Sequence, residues 1–262
     1  MVPSAVMLHM FALINLLVVA GLFTAMLVLQ QAGRRLGEGD QGLAGRKGTS
    51  PGEGAIYGLL SLFLAFTFSG AGTRFEGRRH LIVQEANAIG TAWLRIDVLP
   101  AADQPHLRDL FRQYVDARID RYRLLPDVAA AESSRLKALA LQQEIWSAAV
   151  VAANGSASTP PFTVVLPALN EMIDITTTRE DSMHLHPPLA VFVMIGFLAL
   201  IASVFAGYAM AGQTRSWIHT LAFPAVLALS LFVIVDFEFP RLGLIRVDAA
   251  DSVLADVRQS MH

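Results

Sequence analysis

The sequence contains no cysteine, which removes disulfides, thiolate metal sites and cysteine nucleophiles together and leaves the redox compartment open. Charge is scarce as well. Asp, Glu, Lys and Arg make up 16% of 262 residues, and the net charge of -2 offers no basic field for nucleic acid. Lysine is nearly missing: Lys47 and Lys137 stand among twenty basic residues, a composition that points to a GC-rich bacterial source. No Gly-rich phosphate loop, metalloprotease histidine pair or nucleophile elbow occurs. The reading is therefore of a chain that is not an enzyme, with no catalytic residue, no cofactor and no metal centre.

What is abundant is apolar surface. An apolar fraction of 54% is too high for a chain whose whole exterior faces water. A bilayer-spanning helix needs about 20 mainly apolar residues, because hydrocarbon cannot satisfy backbone polar groups. Four stretches qualify: 5–30, 55–71, 187 or 188 to 211, and 217–235. The first lacks the basic leader and short core of a signal peptide and is read as retained. Pro187 and Pro188 suit the first turn of the third, Trp217 an interfacial position, and Pro224 a kink in the fourth.

The fold class expected is an all-α polytopic membrane protein with a helical soluble domain between the second and third spans. The divisions are residues 1–71 with a Gly-rich linker at 31–54, the soluble domain at 72–186, the last two spans at 187–237, and a tail at 238–262. Eight glycines between Gly33 and Gly54 make the linker read as flexible. From Arg74 to His186, twelve basic and fourteen acidic residues alternate with helix-spaced apolar ones. A helix opening at Pro105 places Leu107, Leu110, Phe111 and Tyr114 on one stripe, against Arg108, Asp109, Arg112 and Asp116. Further helices are expected at 129–152 and 162–181, with a break at Asn154-Gly155-Ser156 and Pro160-Pro161. That Asn-Gly-Ser run is a glycosylation pattern in a secreted eukaryotic setting alone. Leu242 to Val247 is the one stretch with strand character.

Basic residues near the spans fall into two sets: Arg34, Arg35, Arg46, Lys47 and Arg215, against Arg74, Arg78, Arg79, Arg179, Arg241, Arg246 and Arg258. Positive-inside counting puts the second set, and with it the soluble domain, on the cytoplasmic side of a bacterial inner membrane, although the first span alone argues the reverse.

Three segments carry a resemblance: Arg74-Phe75-Glu76-Gly77-Arg78-Arg79 after an apolar helix, Glu85-Ala86-Asn87-Ala88-Ile89-Gly90-Thr91-Ala92, and Asp236-Phe237-Glu238-Phe239-Pro240-Arg241 followed by Gly243-Leu244-Ile245-Arg246-Val247. In these, and in its layout of two spans, helical domain and two spans, the chain resembles uncharacterised bacterial membrane proteins with a bestrophin-like domain. It is more distantly similar to bestrophin channels. That resemblance implies a homo-oligomer, a pentamer in bestrophins, passing small inorganic ions, mostly anions, through a pore lined by the second span. The soluble domain is shorter here and one residue is missing from the Arg-aromatic stretch. No acidic cluster like the calcium clasp of animal bestrophins is present, so calcium gating is not implied.

On the second span, Leu60, Leu64 and Phe68 share one helical face and would form an apolar neck around an axis. A shift of register selects Gly58, Leu62 and Phe66 instead, and either face also suits contact with lipid or neighbouring helices. Beyond the span, Gln84, Asn87, Thr91 and Arg95 form a polar edge able to line a vestibule. Arg74, Arg78 and Arg79, together with Arg95, are candidates for attracting anions; the alternative is pairing with Glu76, Glu85 and Asp97. Asp236 and Glu238 sit at the membrane border, where acids mark ion pathways or bridge to Arg241. His184 and His186 near Glu180 and Asp181 lack a full ligand set, and His9 in the first span suits an interhelical contact.

Overall fold

A computed structural model describes residues 4–39, 50–125, 127–155, 161–214 and 216–262, apart from the side chains of 4–9, 11 and 248–250. The described residues form eight α-helices: α1 Ser4–Gly39, α2 Pro51–Arg95, α3 Gln104–Arg123, α4 Val128–Gly155, α5 Leu166–Ser182, α6 Leu189–Ala209, α7 Trp217–Glu238 and α8 Asp248–Gln259. Four of them, α1, α2, α6 and α7, are long and apolar enough to cross a membrane. Two compact units result, one gathering Phe75–Leu185 and Pro240–His262, the other Met10–Arg74 and His186–Phe239.

The second unit holds the apolar spans. Met26 of α1, Leu60 of α2, Ile195, Ala199 and Ala202 of α6, and Leu227, Leu231 and Ile234 of α7 form its core. Outward-facing positions are apolar too: Leu17, Val18, Leu189, Ile218 and Val226 are all exposed, as expected where lipid replaces water. The helix α2 opens with a capping box in which the Ser50 backbone N–H donates to Glu53 (3.0 Å) and the Glu53 N–H to the Ser50 hydroxyl (3.3 Å), meeting two of the otherwise orphaned donors.

The expected linker is smaller than its glycines imply. Helix α1 continues to Gly39 and α2 starts at Pro51, so Gly33, Gly37, Gly52 and Gly54 are helical; residues 40–49 lie outside the described residues. Here glycine serves contact. A Cβ on Gly33 would sit 2.0 Å from the Val204 carbonyl oxygen, and one on Gly207 only 1.7 Å from that of Gln30. Thus α1 and α6 meet backbone to backbone, as small residues permit between membrane helices.

The first unit has its own core, built from Trp93 and Ile96, Leu107, Leu110, Phe111 and Tyr114 of α3, Ile145 of α4, and Leu169 and Met172 of α5. The stripe read from α3 is buried as expected. The helices expected at 129–152 and 162–181 are α4 and, after a π-turn at Pro161–Val165, α5; the break at 156–160 lies outside the described residues. Leu242 to Val247 is not a strand but an irregular turn closed by the Val247 N–H donating to the Pro240 carbonyl (3.1 Å). The tail beyond it forms α8, whose Leu254, and Met261 just after it, join the core.

Candidate functional site

Within the second unit, α2 turns its two apolar registers in different directions. Leu60 is 3% exposed and belongs to the core, Leu64 packs against that core, and the Phe68 ring lies 5.9 Å from that of Phe237. Leu62 and Phe66 stand out at 50% and 70% exposure, with Gly58, Ser69 and Thr73 exposed on the same side. A single chain therefore packs Leu60 and Leu64 internally, while Phe68, at 44% exposure, stays open along with Leu62 and Phe66.

The arginines expected to attract anions are engaged. Arg74 donates from Nε to both carboxylate oxygens of Glu238 (2.9 and 3.2 Å) and from Nη2 to one of them (2.5 Å). Arg78 is buried and donates to the carbonyls of Ser182 (3.2 Å) and Leu185 (2.9 Å), at and just beyond the end of α5, where helical carbonyls lack an intrahelical donor. Arg79 grips Glu76 three residues back (2.9 and 3.1 Å). Glu238, 1% exposed, also has His186 Nδ1 at 3.3 Å, and the His186 ring stacks on Phe239 at 4.8 Å. Arg74 forks onto Glu238, and Arg241 binds Asp251. Asp236 is buried and has a partner of its own.

In the first unit, the polar edge of α2 is divided. Gln84 and Asn87 are exposed, Thr91 is half-buried, and Arg95 donates to the Val164 carbonyl (3.1 Å). Gln84 shares a 3.0 Å contact with the Nε2 atom of His80. His9 and Arg215 fall outside the described residues or side chains, and no group of three His, Cys, Asp or Glu side chains able to hold a metal occurs among the described residues.

Sequence reading did not find the charged centre of this unit. Glu85, fully buried, accepts from Arg118 Nε (2.6 Å) and Arg179 Nη1 (2.5 Å). Arg118 reaches on to Glu180 (2.9 Å), and Asp251 of α8 bridges Arg179 (2.9 Å) and Arg241 (2.7 Å). The Tyr122 ring takes Arg179 at 3.9 Å and Arg241 at 4.4 Å from its centroid, within cation–π range. Three guanidiniums thus face three carboxylates. Beside them Thr176 gives its proton to the Met172 carbonyl (2.9 Å), so Tyr114 donates to Thr176 (2.9 Å) and accepts from Gln142 (3.1 Å). Burial pushes the Tyr114 hydroxyl up to about 12.

Comparison with known proteins agrees with this architecture. Two crystal structures, each described simply as that of a membrane protein, are similar. One has a TM-score of 0.64 at 14% identity and covers 91% of this chain and 98% of its own. The other has a TM-score of 0.62 at 15% identity over 92% and 99%. At such identities the likeness is one of fold. No curated protein sequence matches the chain. The bestrophin-like domain, however, matches residues 50–251, from the capping box of α2 to the aspartate that ties α8 into the buried charge network, and the chain therefore belongs to the bestrophin-like domain family.

Proposed function

We propose that the protein is a homo-oligomeric ion channel whose pore is lined by α2, with small inorganic anions as the permeants. The observation that carries this reading is the open face of α2. Its inner face is committed to packing and to the Arg74 and Arg78 locks, whereas Leu62 and Phe66 project outward. Brought together around an axis, these two side chains make an apolar constriction of the kind that gates by dewetting. In the first unit α2 exposes the polar His80, Gln84 and Asn87 alongside the apolar Val83 and Leu94, and the polar three suit a hydrated vestibule. Family membership supports conduction, and the pentameric count of bestrophins is the expected stoichiometry.

Purified protein in planar bilayers under a chloride gradient tests the reading. Current is expected, and Phe66→Ala and Leu62→Ala should raise it several-fold by widening the neck. Absence of current, or a monomer in detergent, would sink the proposal.

A second reading has one observation in its favour. Arg74, Arg78 and Arg79 are all bonded within the chain and so are not held ready to attract anions, which suits a non-conducting scaffold or sensor. Such a protein would bind a partner through its helical unit and pass no current.

A further inference from the structure

Where α3 begins beside α4, small side chains leave a hollow of about 600 Å³ within the helical unit. On α4 its lining runs from Ala140 through Glu144 and Ser147 to Val151 at intervals of three and four residues, which is one face of a helix. Asp103, His106 and Leu107 keep the same spacing at the start of α3. Leu107 is 1% exposed and belongs to the core, and Ala148 packs against that core. Together they make an apolar floor. Alanine and serine on the α4 wall hold the space open where larger side chains would fill it.

The rim carries charge of one sign. Asp103 is half-buried on the α3 side and Glu144 exposed on the α4 side, and no lysine or arginine lines the hollow among the described residues. Other surface carboxylates of this unit are matched: Asp97 by Arg108, Glu132 by Arg135 and Asp116 by Arg258. The side chains of Asp103 and Glu144 have no hydrogen bond or ion pair among the described residues. Ten of the described residues line the space, against roughly 20–30 per side in a stable protein interface. Small-molecule sites span about 300–1,000 Å³. Size therefore favours a small molecule, and charge makes it a cation.

We propose that this hollow binds a small organic cation, an alkylammonium whose head group is held by Asp103 and Glu144 and whose hydrocarbon covers Leu107 and Ala148. An ammonium carries three N–H donors and no acceptor. The two carboxylates, the Ser147 hydroxyl and the Gln143 carboxamide oxygen supply acceptors for them, and hydrogen bonds to ionised groups are the stronger kind. Removing the hydrocarbon from water over the floor adds to binding. None of the lining residues belongs to α2, so the site stands whether or not the protein conducts.

Isothermal calorimetry of the full chain in detergent, with phenethylammonium chloride as the probe, tests it. Saturable binding is expected, with a dissociation constant on the order of 0.1–1 mM for so small a ligand. The uncharged 2-phenylethanol, of the same carbon skeleton, should bind at least about tenfold more weakly. Asp103→Asn combined with Glu144→Gln should weaken the ammonium by a similar factor, and so should Ser147→Trp, which fills the hollow and keeps both carboxylates. Glu171→Gln, which removes an exposed acid of α5 outside the hollow, should bind as the native protein does. These positions are exposed or half-buried, so every variant should keep the native elution volume and unfolding midpoint. No saturable binding by the native protein overturns the proposal. Native-strength binding by the doubly neutralised variant or by Ser147→Trp does so as well, as does a loss in Glu171→Gln equal to that in the doubly neutralised variant.

Discussion

The guanidinium of Arg74 is forked onto both carboxylate oxygens of Glu238, tying α2 to the last turn of α7. Glu238 is almost fully buried, and losing the guanidinium that forks onto it leaves less to offset the desolvation of its carboxylate. Arg74→Ala should lower stability by about 3–5 kcal/mol, read as a fall in the unfolding midpoint in detergent. Arg74→Lys should recover part of that, since an ammonium cannot make the planar fork. If Glu238 served ion movement and not this lock, Arg74→Ala would alter current and leave the midpoint where it was.

The same reasoning applies more strongly to Glu85, which accepts from two buried guanidiniums at once. Glu85→Ala should destabilise the helical unit by about 3–5 kcal/mol or abolish its folding. The exposed pair of Arg258 and Asp116 is the control: Arg258→Ala should cost less than about 1 kcal/mol. Equal losses from the two substitutions, measured by thermal unfolding, would contradict the buried network.

Tyr114 gives the pH dependence a definite sign. Its hydroxyl is raised from 10 to about 12 by burial, so the folded state holds this proton more tightly than the unfolded chain does. The associated stability is complete below about pH 10 and is lost as pH rises toward about 12. Alkaline unfolding should accordingly steepen in that window. In Tyr114→Phe this contribution should vanish, at the expense of about 1–3 kcal/mol at neutral pH from the unsatisfied Gln142 amide. An unchanged alkaline limb in the variant would rule the assignment out.

Gly33 and Gly207 should tolerate no side chain. Each would place a Cβ within 2.0 Å of a backbone oxygen on the opposite helix, so Gly33→Ala must push α1 and α6 apart, with a loss of about 1–3 kcal/mol or more. At Gly90 of α2 a Cβ meets nothing within 4 Å. Gly90→Ala should stabilise the protein by up to about 1 kcal/mol through helix propensity. Paired melting curves in detergent check both signs.

What could be read from the sequence was whatever is local. The apolar stripe of Leu107, Leu110, Phe111 and Tyr114 is a property of one helix, and it lies buried on α3. The four apolar spans were legible for the same reason. Glu85, Arg118 and Arg179 were not, because 33 residues separate Glu85 from Arg118 and 94 separate it from Arg179, and nothing in a charged residue's neighbours says that it will be buried. Gly33 misled in the opposite sense: glycine reads as freedom when its contact partner, Val204, lies far along the chain. Helix α8 was within reach, since Val253, Leu254, Val257 and Met261 keep helical spacing in a segment set aside as tail. Arg74 and Glu238 were each singled out, but their pairing was visible in the structure alone.

The backbone contact between α1 and α6 also bears on how the protein is made. All of α2 to α5 is synthesised after α1 and before α6, so Gly33 has no Val204 to meet until most of the chain has left the ribosome. During that interval α1 must persist in lipid without its later partner, which the apolar surface around Leu16, Leu17, Val18 and Val28 allows. Assembly then becomes a late, lateral event between helices already in the bilayer. A side chain at Gly33 or Gly207 would spare insertion and block that final docking step, leaving a chain correctly threaded but unassembled.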